Sequence, residues 1–199
     1  LPPGVRKTNI CTQLDRNDDL IEVLVLGGYE PRKGQDLAID MLTNLPLATR
    51  DSIRLNFHGR VVDRAFHHEL VERAEPFPSV VSLSTALSPD DAQEAIGRAD
   101  IVLIPSRDES FSLVVAEALL QSSIVVCSKS VGAAEFLEHG VHAFIAETSA
   151  PNDLASAFQD ALTKKVDWPS IQAAGKSLAT ASFTDRAFEK RFLAAIKDI

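Results

Sequence analysis

The sequence predicts an α/β fold, a Rossmann-like and mainly parallel sheet with helices on both faces. Three observations predict it. Short apolar runs rich in β-branched residues, such as IEVLVL at 21–26 and IVLI at 101–104, read as strands covered on both sides. Stretches with apolar residues at helical spacing separate these runs. Strand and helix then alternate along the chain, which implies parallel strands joined by right-handed crossovers.

The elements follow in order. Residues 1–19 hold Pro2, Pro3, Gly4 and the polar stretch Arg16-Asn17-Asp18-Asp19, and read as a linker entering a domain that spans 20–199. The first strand is 21–26. The turn Gly27-Gly28-Tyr29-Glu30-Pro31, then Arg32-Lys33-Gly34, leads into a helix with Leu37, Ala38, Met41 and Leu42 at helical spacing. Residues 53–57 form the second strand, ended by His58-Gly59-Arg60. A helix near 63–74 follows, with Phe66, Leu70, Val71 and Ala74 as its inner face. A short strand covers 80–83. Ser88-Pro89-Asp90-Asp91 starts a helix that runs to about Arg98: a serine cap, proline at the first position, acids in the first turn.

The strand at 101–104 ends at Pro105, which has no N–H for a ladder. A polar loop at 106–110 precedes a helix from about Phe111. That helix is apolar all round at 113–120 except for Glu117, so it is expected to be buried. A strand at 124–127, a short helix at 132–137 stopped at Gly140, and a last short strand at 142–145 come next. A helix at 151–162 turns Leu154, Ala155, Phe158, Ala161 and Leu162 inward. Two more are expected near 168–180 and 184–196, the last with Phe188, Phe192, Leu193 and Ile196 on one face.

Composition narrows the function. The 199 residues are 45% hydrophobic and 24% charged, an ordinary globular balance for one substantial core. A net charge of −8 argues against general nucleic-acid binding, so any anion site must be a local cluster of basic groups. No apolar run approaches the roughly 20 residues that span a bilayer. The opening Leu-Pro-Pro-Gly-Val is not that of a signal peptide. Cys11 and Cys127 are too few for a disulfide framework, and Cys127 reads as a buried thiol. A cytoplasmic setting is expected, with the inner face of the membrane as an alternative. His139 and His142 look structural, and no cluster has metal-ligand spacing.

Glu117 is the informative exception. A carboxylate in an apolar helix costs several kcal/mol unless something pairs with it. Either it pairs with an arginine or reaches solvent, or it accepts hydrogen bonds from a ligand's vicinal hydroxyls, as acids do for a ribose at the switch point of α/β sheets. Glu109 stands eight positions earlier, in the loop before the helix. The helix amino terminus beside it would offer free N–H groups to a phosphate. Gly27 and Gly28 let backbone approach a ligand closely. Lys33 can place a point charge on a diphosphate, and Arg32 can add a guanidinium fork. A tight turn with a solvated basic pair is the plainer reading. Arg60 either stacks on a base, reaches a phosphate, or is an exposed arginine at a helix start.

Glu109-Ser-Phe-Ser-Leu-Val-Val-Ala-Glu117 resembles the E-x7-E signature of retaining glycosyltransferases of the GT-B fold, in the group 1 (family 4) class. The likeness runs from about Leu20 to Ala161 and covers only the carboxyl-terminal, donor-binding half of such enzymes. It implies that Lys33 binds the donor diphosphate, that Glu109 lies beside the donor sugar and that Phe111, Ser112 and Leu113 touch the diphosphate. It implies that Glu117 holds the ribose, and that Arg60 and the segment Ser84-Thr85-Ala86-Leu87 border the nucleotide. Lys33 and Glu109 are the expected catalytic residues. Gly27, Gly28, Arg32, Arg60, Phe111, Ser112, Leu113 and Glu117 are the expected donor-binding ones. Three departures stand out: Gly28 where an arginine is usual, Ser112 where glycine is usual, and Gln121-Ser122-Ser123-Ile124 where a Gly-x-Pro turn is usual.

The resemblance implies transfer of a sugar from a nucleotide-diphosphate sugar, such as a UDP- or GDP-sugar, with retention and without a bound metal or other cofactor. The acceptor, a glycan, lipid or other molecule, would lie against an amino-terminal domain absent from this chain, so the chain alone should transfer poorly. Two other classes compete. One is a non-catalytic interaction module that keeps the fold. The other is a sugar-nucleotide epimerase, which shares it.

Overall fold

In a computed structural model the described residues are 20–187, 189, 190 and 193. The expected linker at 1–19 lies outside them, as do Phe188, Phe192 and Ile196 of the last apolar face. Six strands form one sheet in the order β3-β2-β1-β4-β5-β6, all parallel. They are β1 (Ile21–Leu26), β2 (Ile53–His58), β3 (Val81–Ser84), β4 (Ile101–Ile104), β5 (Ile124–Ser128) and β6 (Phe144–Ala146). The helices are α1 (Gln35–Met41), α2 (Leu47–Asp51), α3 (Arg64–Ala74), α4 (Pro89–Arg98), α5 (Leu113–Leu120), α6 (Pro151–Thr163) and α7 (Trp168–Ser182).

Strand alternation divides the core into two layers. Val23, Val25, Leu55, Phe57, Ile101, Leu103 and Val126 pack one way, against Ile39 and Met41 of α1, Phe66 and Leu70 of α3, and Leu154 and Phe158 of α6. Leu24, Val102, Ile104, Val125 and Cys127 point the other way, onto Ile96 of α4, Val115 and Leu119 of α5, and Ala179 of α7. Helices therefore cover both faces, as the unbroken apolar strands require. Burial pushes the Cys127 thiol up to about 12.

The helix starts follow their sequence signals. Asp63 accepts from the Phe66 N–H at 3.0 Å, and Ser88 accepts from the Asp91 N–H at 3.2 Å. Four expectations are corrected. Val71 is 44% exposed, because it sits about 100° round from Leu70 and misses the sheet. Residues 132–137 form a 3-10 helix, Gly132–Phe136, rather than an α-helix. The long connection after α1 holds the short helix α2, which no apolar periodicity announces. The helix α5 begins at Leu113, and its Leu113-Val114-Glu117 stripe is its least covered face, with Leu113 48% exposed.

Candidate functional site

Strand order reverses between β1 and β4. The chain leaves β1 toward one face of the sheet and β4 toward the other, which opens a crevice at their carboxyl ends. Two turns wall this crevice: residues 27–34 after β1, and residues 105–112 after β4.

Glycines let the turns meet. At Gly34, φ is +68° and any Cβ would run into the carbonyl of Pro105, so only glycine lets the start of α1 close on the end of β4. At Gly27, φ is +151°, and the aliphatic stem of Lys33 passes 3.5 Å from where a Cβ would stand. Lys33 is thereby delivered to Glu109. Its Nζ lies 2.9 Å from Oε1, with the two side chains 19% and 13% exposed. Ser106 Oγ donates to the other carboxylate oxygen, Oε2, at 2.9 Å. Both oxygens of Glu109 are therefore held. Ser106 is itself fixed, because Ser128 Oγ donates to its carbonyl from the end of β5.

A second pair stitches the turns together. Arg107 forks onto Asp36, with Nη1–Oδ1 at 2.8 Å and Nη2–Oδ2 at 2.6 Å, and also donates to the Pro31 carbonyl. Its backbone N–H donates to the Arg32 carbonyl at 2.9 Å. The hydrogen bonds to Asp36 raise the Arg107 pKa above its usual value, against a smaller opposing effect of burial. Arg32 is occupied elsewhere: it donates to Glu30 at 3.0 Å and to the Asp108 carbonyl at 3.3 Å, and its side chain is 48% exposed.

Arg60 is exposed and forms no ion pair among the described residues. Its Cγ lies 3.8 Å from the point where a Cβ on Gly28 would stand. That Cβ would also meet Val62 Cγ2 at 2.7 Å, so the turn is shaped around the missing side chain. Tyr29 locks the turn from below. Its hydroxyl donates to the Ser84 carbonyl at 2.6 Å and accepts from the Ser84 N–H at 3.1 Å. Gln35 Nε2 donates to the carbonyls of Gly28 and Gly27, at 2.9 and 3.3 Å.

At the start of α5, Phe111 sits in a cluster of three edge-to-face rings with Phe136 and Phe183. Ser112 is the N-cap residue, at φ +76°, and makes no capping bond. The first-turn N–H groups have no intrahelical acceptor. Further along, Glu117 is half-buried, hydrogen-bonded to Gln93 of α4, and outside any ion pair among the described residues. Burial raises its pKa, and the bond from Gln93 lowers it by less. No hydrogen bond or ion pair among the described residues joins Glu117 to Lys33 or Glu109.

The structure thus brings Lys33, Glu109, Gly27 and Gly34 into one constellation, with Gly28 and Arg60 side by side next to it. Sequence reasoning missed Ser106, Arg107, Asp36, Gln35, Tyr29 and Gln93. Tyr29 carried a faint signal, as the only tyrosine of the chain inside a Gly-Gly turn. The Arg107–Asp36 pair spans 71 positions and carried none. Among the described residues no group of three or more His, Cys, Asp and Glu side chains could hold a metal ion, and no helix is long and apolar enough to cross a membrane. A cavity of about 300 Å³ between β6 and α6, lined by His139, Glu147, Asp153 and Asp160, holds none of the site residues.

Comparison with known proteins bears on this geometry. The family model described as glycosyl transferases group 1 matches residues 7–176. A lipopolysaccharide 1,2-N-acetylglucosaminetransferase of Salmonella typhimurium is 25% identical over 198 residues, covering 96% of this chain and 51% of that protein. A D-inositol 3-phosphate glycosyltransferase of Geodermatophilus obscurus is 26% identical, covering 83% of this chain and 40% of that one. The chain spans about half the length, or less, of these relatives. Among solved structures, Anabaena HepE in complex with UDP and glucose superposes with a TM-score of 0.79 at 21% identity, over 91% of this chain and 49% of that one. The C-terminal domain of a Francisella tularensis group 1 glycosyl transferase, LpcC, superposes at 0.72 and 17% identity, over 83% of this chain and 87% of that domain.

Proposed function

The chain belongs to the group 1 glycosyl transferases, and on that premise we propose that it is the donor-binding half of a retaining glycosyltransferase. Its substrate is a nucleotide-diphosphate sugar, of the UDP- or GDP-sugar type. The observation that carries this reading is the largely buried Lys33–Glu109 pair at the switch point, beside the uncapped start of α5.

The chemistry follows from charge. Breaking the bond between sugar and diphosphate leaves negative charge on the diphosphate. Lys33 and the amides near Phe111, Ser112 and Leu113 stabilise that charge as it develops. Positioned donors of this kind meet the need without a metal ion. In the free chain Lys33 is neutralised by Glu109, so the arriving diphosphate draws Lys33 across and releases the carboxylate toward the sugar. Ser106 keeps Glu109 in place during the exchange. Glu117 accepts hydrogen bonds from the ribose hydroxyls, which replace the bond from Gln93. Gly27 and Gly28 give the backbone room beside the nucleotide, and Arg60 borders it. Arg32, committed to Glu30 and Asp108, contributes field rather than contact.

The acceptor, a glycan, lipid or other molecule, binds against a preceding domain, consistent with relatives about twice as long. Isothermal titration of this chain with UDP, GDP and their sugars tests the reading. At least one should bind, and Lys33→Ala should weaken it at least tenfold. Silence from all of them at millimolar concentration overturns the proposal. Ser112 favours a second reading, a module that keeps the fold without transfer, since a side chain stands where a phosphate must approach. Unchanged turnover of the full-length transferase in both Lys33→Ala and Glu117→Ala would select it.

A further inference from the structure

Two buried side-chain oxygens lack any hydrogen-bond partner among the described residues: Gln35 Oε1 and Ser112 Oγ. Both stand at the carboxyl edge of the sheet, one after β1 and one after β4. A buried hydroxyl without a partner is unusual and costs stability, so it calls for a reason. Gln35 has one, because its amide nitrogen holds the carbonyls of Gly27 and Gly28. Ser112 has none among the described residues. It is only 4% exposed, it holds a φ of +76° that disfavours any residue but glycine, and it withholds the cap its position invites.

The withheld cap is the telling part. A serine at this position ordinarily accepts from the amide two or three residues on, as Ser88 does at α4. Had Ser112 done so, it would have consumed a first-turn N–H of α5 and turned its own proton outward. Instead, among the described residues, the Ser112 hydroxyl has no acceptor and stands beside first-turn N–H groups that have no intrahelical one. Donors converging without an acceptor describe a site for an anion, where the helix dipole adds to the attraction. The hydroxyl is covered in the free chain. Rotation about χ1, a motion of picoseconds to nanoseconds, turns it toward whatever the amides hold.

We propose that the Ser112 hydroxyl is a phosphate ligand, donating its proton to an oxygen of the donor diphosphate held at the start of α5. The strain at this residue is retained because the hydroxyl gives the site a donor that glycine lacks. The inference rests on the reading of this site as a nucleotide-diphosphate one.

Two variants test it, read by isothermal titration with UDP and GDP and by thermal unfolding without ligand. Ser112→Ala keeps the Cβ and the strain and removes only the hydroxyl. Ser112→Gly removes both. Each should weaken binding of whichever nucleotide the parent chain binds by about tenfold, the size of one hydrogen bond to a charged group. Their melting temperatures should part, with the glycine variant higher than the alanine variant. Shared loss of affinity with divergent stability cannot come from a merely structural role. Binding as tight as the parent's in Ser112→Ala overturns the assignment of the hydroxyl. Tighter binding in both variants overturns it as well, since the side chain then only crowds the phosphate. A parent chain that binds neither nucleotide refutes the donor-site reading instead.

Discussion

Serine stands in the left-handed region at two places, Ser112 at φ +76° and Ser122 at φ +64°. Ser112 stands where the family resemblance leads one to expect glycine, and Ser122 lies in the stretch where it leads one to expect a Gly-x-Pro turn; both hold φ > 0. Ser122 follows the C-terminus of α5, where its N–H bonds to the Leu119 carbonyl and a left-handed residue ends the helix. Ser122→Gly is predicted to stabilise the chain by about 1 kcal/mol, measured by urea unfolding, despite losing a 3.3 Å bond from Lys176. Glu117 makes a prediction of opposite logic. Burial raises its pKa, so the folded chain holds the proton more tightly than the unfolded one. Between the ordinary carboxylate pKa and the raised one, stability must fall as pH rises. Glu117→Gln should therefore melt higher than the parent at pH 7, and the two curves should converge below the ordinary carboxylate range. A parent that gains on the variant as pH rises would show that the carboxylate has a partner. The sequence made Glu117 conspicuous as the one polar group of an apolar helix. It could not show Gln93 beside it, because that contact depends on how α4 and α5 pack.

At the scale of elements, every strand was legible within a residue or two at nearly all its ends, because β1, β4 and β5 are runs rich in β-branched residues, β2 alternates apolar with polar ones, and glycine, proline or a polar turn closes each. Helices buried on one side were legible too, down to the Asp63 and Ser88 caps. What failed was the facing of side chains near an edge. Val71 belongs to an apolar cluster in sequence yet lies outside the arc that α3 turns to the sheet. Leu113 looked like core because its neighbours are apolar, and it is half exposed because it opens α5 at the crevice. Within the candidate site, Lys33 in one turn and Glu109 in the other were each conspicuous in sequence, while the contacts that join the two turns were not. Arg107 is the instance. Its fork onto Asp36 fixes the turn bearing Lys33 against the loop bearing Glu109. Arg107→Lys keeps the charge and loses the fork. It should cost about 1 kcal/mol of stability, the upper range for a partly exposed pair, by urea unfolding. It should also weaken nucleotide binding, because Lys33 and Glu109 are no longer held in register. Loss of stability with unchanged affinity would confine Arg107 to scaffolding.

The whole molecule is two three-stranded halves sharing one seam. Strands β1, β2 and β3 lie on one side, and β4, β5 and β6 on the other. Along the seam β1 and β4 pair over only two positions, Val23 with Ile101 and Leu24 with Val102, extended by the bonds between Glu22 and Asp100. Beyond the strand ends the seam is closed by polar links: Lys33 to Glu109, Arg107 to Asp36 and Pro31, and Arg32 to the Asp108 carbonyl. The proposed donor site lies across this closure, with Lys33 supplied by one half and the start of α5 by the other. A nucleotide held by both should act as one more link. Ligand at 100 times its Kd stabilises the folded state by about 2.7 kcal/mol, whatever its position. Its distribution, however, reports the geometry. In hydrogen exchange, UDP or GDP, whichever binds, should slow the amides of residues 27–34 and of residues 106–115 together. Lys33→Ala should abolish the first effect and weaken the second, because the affinity is joint. Protection on one side of the seam alone would place the ligand on a single half, and the pairing of Lys33 with the α5 amides would no longer describe how this chain holds it.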